Sequence, residues 1–549
     1  MHKIFLFTLL LFAFCSCSVD SSQKIVEEEN TASTDFNHTL DVSKALSEFS
    51  ASKNGGSAEN LKMQLGEFYS QRNHCSMWFG TERPTSQLLS LKNTAYELIN
   101  EGNAVYSSYA DSIDYLIDIV YGSGQVDSTV LARADLNISA QFSHFANNLL
   151  EGQLESYSNG EAHWYVDQNN RDVLNDLARI QNSGQLDSLL NFYRPSSAEY
   201  VALLATFQKI QSKKDTSTFL FSCDFLDWDS LARDTMDLKL AERLNQWGFK
   251  NKTSIGTSRP EVAKSLARFQ TLRGLENSGK LDCETVEQLN MSDEEVLEKI
   301  ALNLERLKTL PRRNGKEYIM VNVPEYKLRV FRNGERTLEM AVIVGKEYNP
   351  TPIFVDTLSY LVFSPTWTVP QSIVQQEMIP NLRNDPAHYI KKNFKAYEGD
   401  NEIDQRKIDW SDKDISSRYF IFVQQPGGSN SLGLVKFIMP NDMSIYLHDT
   451  PADYLFNRTE RSLSHGCVRL EKPQKLAEYL LADRKEWNSS KISEAMHSDS
   501  PTQVNLDKKI PVEIIYLTTW VNADGELAIL PDVYGHDAEQ KKLLSTISE

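Results

Sequence analysis

Apolar positions recur at three- and four-residue steps through the first half of the chain and alternate with polar ones through the second. From about 61 to 235 the spacing predicts helices, as in SSYADSIDYLIDIVYGSG and SAEYVALLATFQKIQ. Over 236–292 it predicts a compact unit of helices. Leu240, Leu244 and Trp247 share a face before the stop at Gly248, and Val262, Leu266 and Phe269 share another. EEVLEKIALNLERLKTL continues as a linking helix within 293–312, broken at Pro311. Beyond it the period becomes two. EYIMVNVPEYKLRVFRNGERTLEMAVIVGK alternates around Asn333-Gly334, a strong hairpin signal, and YLVFSPTWTVP, SRYFIFVQQ, LVKFIMP and SIYLHDT continue the alternation. Residues 313–549 are therefore predicted to be mainly β, interrupted at about 371–418 by a polar, partly helical insertion. A long excursion inside a compact β domain is usually functional, and its polarity suits a mobile flap.

The N-terminus has another pattern. Lys3 precedes an apolar run from Ile4 to Phe14, short for a bilayer span but suited to the apolar core of a secretory signal. Phe14-Cys15-Ser16-Cys17 then resembles a bacterial lipoprotein signal. The resemblance implies lipid attachment at Cys17, which follows the small Ser16, rather than at Cys15, which follows Phe14. Residues 1–17 are expected to be a signal peptide. Residues 18–60, rich in Ser, Glu, Asn, Thr and Lys, lack the apolar content for a core and are expected to be a flexible tether.

A chain of 549 residues exceeds one hydrophobic core, so several domains are expected. Its net charge of −18 argues against a nucleic-acid surface, which needs a basic face. Beyond Cys15 and Cys17 the cysteines are Cys75, Cys223, Cys283 and Cys467, scattered and without a C-x-x-C pair. This supports neither a zinc site nor a dense disulfide framework, and leaves a bridge among the first three open. His74 beside Cys75 reads as packing.

Chemistry concentrates in IYLHDTPADYLFNRTERSLSHGCVRL. A cysteine nucleophile needs a base, because little thiolate exists at neutral pH, and donors for the oxyanion of a tetrahedral intermediate. His448 ends a predicted strand nineteen residues before Cys467, enough chain to loop back. Gly466 permits close approach of a substrate carbonyl, and the amides of His465, Gly466 and Cys467 are candidate oxyanion donors. Arg469 is a candidate partner for a substrate carboxylate. On the residues alone, a buried inert thiol competes with this reading.

His448 and, sixteen positions on, Ser464-His465-Gly466-Cys467-Val468-Arg469 resemble the signature of the L,D-transpeptidase (YkuD) catalytic domain. The likeness extends to IMVNVPEYKLRVF, VIVGKEYNPTPIF, SPTWTVPQSI, PNLRNDPAHY, GGSNSLGLVKFIMPN and IIYLTTWVNADGELAILPDVYGHD. LARFQTLRGLENSGKLDCETVEQLN resembles a peptidoglycan-binding repeat, through Phe269-Gln270, Gly274-Leu275 and Thr285 with Leu289-Asn290. The combined resemblance implies a multidomain α+β chain. A helical scaffold (61–235) and a three-helix peptidoglycan-binding domain (236–292) lead through the linking helix (293–312) to a mainly-β catalytic domain (313–549) with a capping insertion.

The resemblance further implies that Cys467 is the nucleophile and His448 the base, oriented by the carbonyl or the carboxylate of Asp449. Tyr446 and Trp367 are implied as pocket walls. Arg469 departs from members with Asn there. The implied reaction joins peptidoglycan stem peptides by 3→3 cross-links, without metal or nucleotide cofactor. The donor is a tetrapeptide and the acceptor a diaminopimelate-type amine. Hydrolysis by the same thioester, attachment of a protein lysine, and a non-catalytic peptidoglycan binder are the alternatives. The S-x-x-K matches at Ser21–Lys24 and Ser50–Lys53 fall in the tether, which disfavours a serine enzyme. The expected location is the cell envelope, lipid-anchored at the outer membrane and facing the periplasm.

Overall fold

The structure is a computed structural model. It describes residues 42–548 apart from short stretches at 50–54, 81, 103–104, 123, 125, 155–156, 158–162, 166–170, 213–219, 224–232, 250–258 and 313–316. The expected signal segment, its Cys17 and most of the tether lie outside the described residues. The tether's described part is helical instead, at Val42–Glu48, where Val42 and Ala45 join the helical core, and from Gly55 onward in Gly55–Gln71. A helical N-terminal region is followed by a mainly-β domain, so the chain is multidomain α+β.

Helices start where the sequence supplies a side-chain oxygen for the first free amides. Thr85, Asp127, Asn182, Ser197 and Asp282 each accept such a hydrogen bond, and Ser292 with Glu295 closes a capping box. Helices between Val42 and Tyr193 enclose one core, with Trp78, Phe142 and Phe145 among its largest members. A carboxylate lies inside it. Asp135 accepts from Tyr69 Oη at 2.6 Å, from Ser76 Oγ, and from the amides of Met77, Trp78 and Phe79 at 3.1, 2.9 and 3.3 Å. Every lone-pair direction of the buried acid is thereby answered, and the 76–79 loop is pinned to the helix Ser128–Glu151.

A second core joins the helices Ala198–Gln211, Arg233–Gln246, Arg259–Thr271, Cys283–Leu289 and Asp293–Lys308 to Tyr318, Met320, Ile515, Leu517, Leu527 and Ile529 of the β domain. The linking helix is the hub. Its buried Asn303 exchanges hydrogen bonds with Thr518 at 3.0 and 2.9 Å, and its Arg306 pairs with Asp537 at 2.8 Å. Glu305 reaches the amide of Gln153 at 3.0 Å, tying the same helix to the N-terminal helices.

In the β domain, pairing runs in order through Ile353–Phe363, Val435–Ile438, Tyr446–His448, Val468–Leu470, Glu335–Gly345, Lys327–Arg332, Tyr318–Asn322 and Thr502–Ile515. The last strand pairs back onto Ile353–Phe363, so the sheet closes on itself. Leu361, Phe363, Val435, Phe437, Leu447 and Val468 fill its interior, which sends the alternate positions of those strands outward. The segment Trp164–Tyr165 adds a short parallel pairing to Ile353–Phe354.

The insertion departs from the expected polar flap. It is partly helical, through Gln371–Ile373, a π turn at Val374–Met378, and Ile379–Asn384. It also contributes Phe394–Glu398 and Asn401–Ile403 to a separate four-stranded sheet with Trp367–Thr368 and Phe420–Gln424. Val374, Met378, Leu382, Tyr389, Trp410, Phe420 and Phe422 give it a core of its own. The polar average hid these apolar positions because they are spread over turns and short elements with no single period.

Candidate active site

Strand register assembles the site. Leu447 pairs with Val468 and His448 with Arg469 in parallel, while Lys436 pairs with His448 from the other side in antiparallel. With Leu447 and Val468 turned into the core, His448, Arg469 and Lys436 share the opposite face, and Tyr446 and Cys467 fall on it one pleat earlier. Cys467 thus lies two positions before the strand partner of His448 on the adjacent, parallel strand.

His448 is buried, and its Nδ1–H donates to the Asp449 carbonyl at 2.6 Å. Of the two Asp449 groups left open by the sequence, only the carbonyl faces the ring. The carboxylate accepts from the amides of Leu434 and Thr450, each at 2.7 Å. Nε2 therefore carries the lone pair, the tautomer a base requires. Gly433 makes this arrangement possible. Its φ is +60°, and a Cβ there would lie 2.3 Å from Asp449 Cγ.

Cys467 is a half-buried free thiol that donates to the Ser444 carbonyl at 3.7 Å. Burial pushes it up to about 11, against hydrogen bonds from the backbone and hydroxyl of Tyr446 and the charges of Arg469 and Lys436. Burial also lowers His448 to about 3, helped by Arg469 and Lys436 and opposed by the Asp449 carbonyl. At neutral pH the resting pair is neutral thiol and neutral imidazole. Trp367 hydrogen-bonds to the Tyr446 side chain, and Tyr446 in turn hydrogen-bonds to the thiol.

One expectation is corrected. The Gly466 amide donates to Ser464 Oγ at 3.1 Å, and that hydroxyl donates to the Cys467 carbonyl at 2.6 Å. It is a bond of the loop itself and not a free oxyanion donor, which leaves the amides of His465 and Cys467. Gly466 keeps a conformational role at φ +113°, with its carbonyl held by Thr351 Oγ1 at 2.7 Å. The His465 side chain turns to the insertion and meets Glu377 at 2.6 Å.

Lys436, Glu377 and Thr351 are not singled out by the sequence, and Ser464 enters it only as part of the signature. LVKFIMP does show a lysine between inward Val435 and Phe437. Only the pairing with His448 reveals where it lies. Among the described residues no His, Cys, Asp and Glu cluster suits a metal ion, and no helix is long and apolar enough to cross a membrane.

Residues 316–511 match the YkuD family, described as the L,D-transpeptidase catalytic domain. Over these residues the chain resembles a YkuD L,D-transpeptidase catalytic domain. Residues 63–206 match a family described as a scaffold domain. A Haemophilus influenzae protein, named as an unproven L,D-transpeptidase, is 34% identical over 275 residues, 49% of this chain and 55% of that protein. The match thus spans about half the length of that relative. Among solved structures, an L,D-transpeptidase from Stackebrandtia nassauensis shows 13% identity and a TM-score of 0.20, covering 51% of this chain and 91% of that one. The Ldtfm-avibactam carbamoyl enzyme shows 12% identity and a TM-score of 0.18, covering 57% and 97%. Within the span that matches this family, His448 and the segment that begins at Cys467 lie on adjacent, parallel-paired strands.

Proposed function

We propose that the chain forms 3→3 cross-links between peptidoglycan stem peptides through a thioester on Cys467. His448 Nε2 takes the thiol proton as sulfur bonds to the carbonyl carbon of the third residue of a donor tetrapeptide. The amides of His465 and Cys467 receive the oxyanion. The bond to the terminal D-alanine then breaks, and its nitrogen leaves with the proton from the imidazolium. A side-chain amine of a second stem, of diaminopimelate type, attacks the thioester and loses its proton to His448, and the thiol is regenerated. Lipid attachment at Cys17 and a periplasm-facing position in the envelope belong to the same proposal.

The observation that carries the reading is the His448 tautomer. Its Nδ1 is held by the Asp449 carbonyl on the face shared with Cys467, inside a domain of the matching family. Incubation with disaccharide-tetrapeptide and mass analysis of the products tests it. A cross-linked dimer with release of D-alanine is expected. Tripeptide alone would make the enzyme an L,D-carboxypeptidase, and unchanged tetrapeptide would reject peptide-bond chemistry.

A further inference from the structure

Lys436 and Arg469 flank the His448 imidazole on the two neighbouring strands, and among the described residues neither forms an ion pair with an acid. Lys436 Nζ makes one long hydrogen bond, 3.4 Å to the Thr366 carbonyl, and lies 5.9 Å from the Tyr446 ring centre. Arg469 keeps a buried Nε without a hydrogen-bond partner. Burial lowers both groups. The influences that oppose it come from Cys467 for both and from Tyr454 for Arg469, and not from an Asp or Glu among the described residues. In a chain of net charge −18, two desolvated cations without a counter-ion at one spot cost stability. A site that bears this cost is organised for an anion that arrives with a ligand.

Covalent geometry says which anion. The imidazole must stand at the departing nitrogen to protonate it. In an amino acid the carboxylate oxygens lie roughly 3 Å from that nitrogen, two bonds and a carbonyl away. The carboxylate of a departing C-terminal residue therefore falls beside the imidazole, between the two cations, while an internal residue would bring a neutral peptide group there. We propose that Lys436 and Arg469 form a carboxylate subsite that holds the C-terminal carboxylate of the leaving residue and restricts the enzyme to donors that end there. This rests on the acyl-transfer reading above. Lys436 is its specificity-determining member on the strand Val435–Ile438.

The test uses the full chain in two assays. The first compares turnover of a tetrapeptide carrying a free C-terminal carboxylate with that of its C-terminal amide. Wild type should prefer the acid by about 10- to 100-fold, the span of a hydrogen bond to a charged group, and Lys436→Gln should bring the ratio near one while Lys436→Arg retains most of it. The second needs no substrate. Site-resolved mass spectrometry follows alkylation of Cys467 by iodoacetate and by iodoacetamide, normalised to the exposed Cys283. Wild-type Cys467 should favour iodoacetate relative to Cys283, and Lys436→Gln should remove that preference. A collapse of the alkylation preference with neither peptide turned over would uphold the subsite and reject the acyl-transfer reading. Equal slowing of both reagents, or of both peptides, by Lys436→Gln would overturn the subsite and leave Lys436 as a general support for the thiolate.

Discussion

Asp135 in the helical region is fully buried and the Lys436–Arg469 pair in the β domain is half-buried, and their surroundings differ. Around Asp135 the protein supplies two hydroxyls and three amides, so the acid is answered before any ligand arrives. Around His448 it supplies two cations, a neutral ring and a protonated thiol, and leaves a guanidinium nitrogen with no partner. Burial alone therefore does not mark function. A buried charge that is satisfied locks a loop in place, whereas one left unsatisfied in a face with a nucleophile and a base waits for substrate.

The comparison breaks first at the thiol. Cys467→Ala should abolish D-alanine release from tetrapeptide with the unfolding midpoint unchanged, as read by mass analysis and thermal melting. The same change at Cys75, Cys223 or Cys283 should leave turnover intact. His448→Ala should lower turnover by about two to four decades, the span of a general acid–base group.

The pH profile sharpens the contrast. A base lowered to about 3 stays neutral as pH falls through 6, so the acid limb of turnover should lie well below that of a free histidine. Removing a neighbouring cation relieves part of that depression, so Lys436→Gln should move the acid limb to higher pH. A limb near 6.5 in wild type would contradict the lowering of His448 by burial and its two neighbouring cations.

Asp135→Ala tests the other region. It leaves several buried donors unanswered and should cost about 3–5 kcal/mol in denaturant unfolding, with turnover per folded molecule retained. Gly433→Ala should be milder in stability, about 1–3 kcal/mol, yet should also reduce turnover, since the new Cβ displaces Asp449 from beside His448. The smallest effect is expected at Glu377→Gln. It weakens the contact between His465 and the insertion, and less than tenfold in cross-linking rate is expected.

Much of this was legible in the sequence where one period dominates. The step of three and four over 61–308 and the alternation after 317 gave the helical and β halves, and His448 with Ser464–Arg469 carried the resemblance to the YkuD domain. What stayed hidden depends on pairing between distant segments. Lys436 becomes a site residue only because its strand lies beside His448, and the Asp449 carbonyl could be chosen over the carboxylate only once Leu434 and Thr450 were seen to occupy the latter. The Gly466 amide was misassigned because a neighbouring Ser464 hydroxyl captures it, a local bond that composition does not reveal. The insertion looked like a flap because its apolar residues follow no single period.

The central claim is that the unsatisfied face makes an acyl-enzyme on one sulfur. Rapid acid quench of the full chain with disaccharide-tetrapeptide, followed by peptide-resolved mass spectrometry, reads it directly. The account predicts a disaccharide-tripeptide adduct on the peptide bearing Cys467, base-labile, equal to tetrapeptide minus D-alanine, and absent from Cys467→Ala. An adduct on another residue, or D-alanine release that persists in Cys467→Ala, would contradict it.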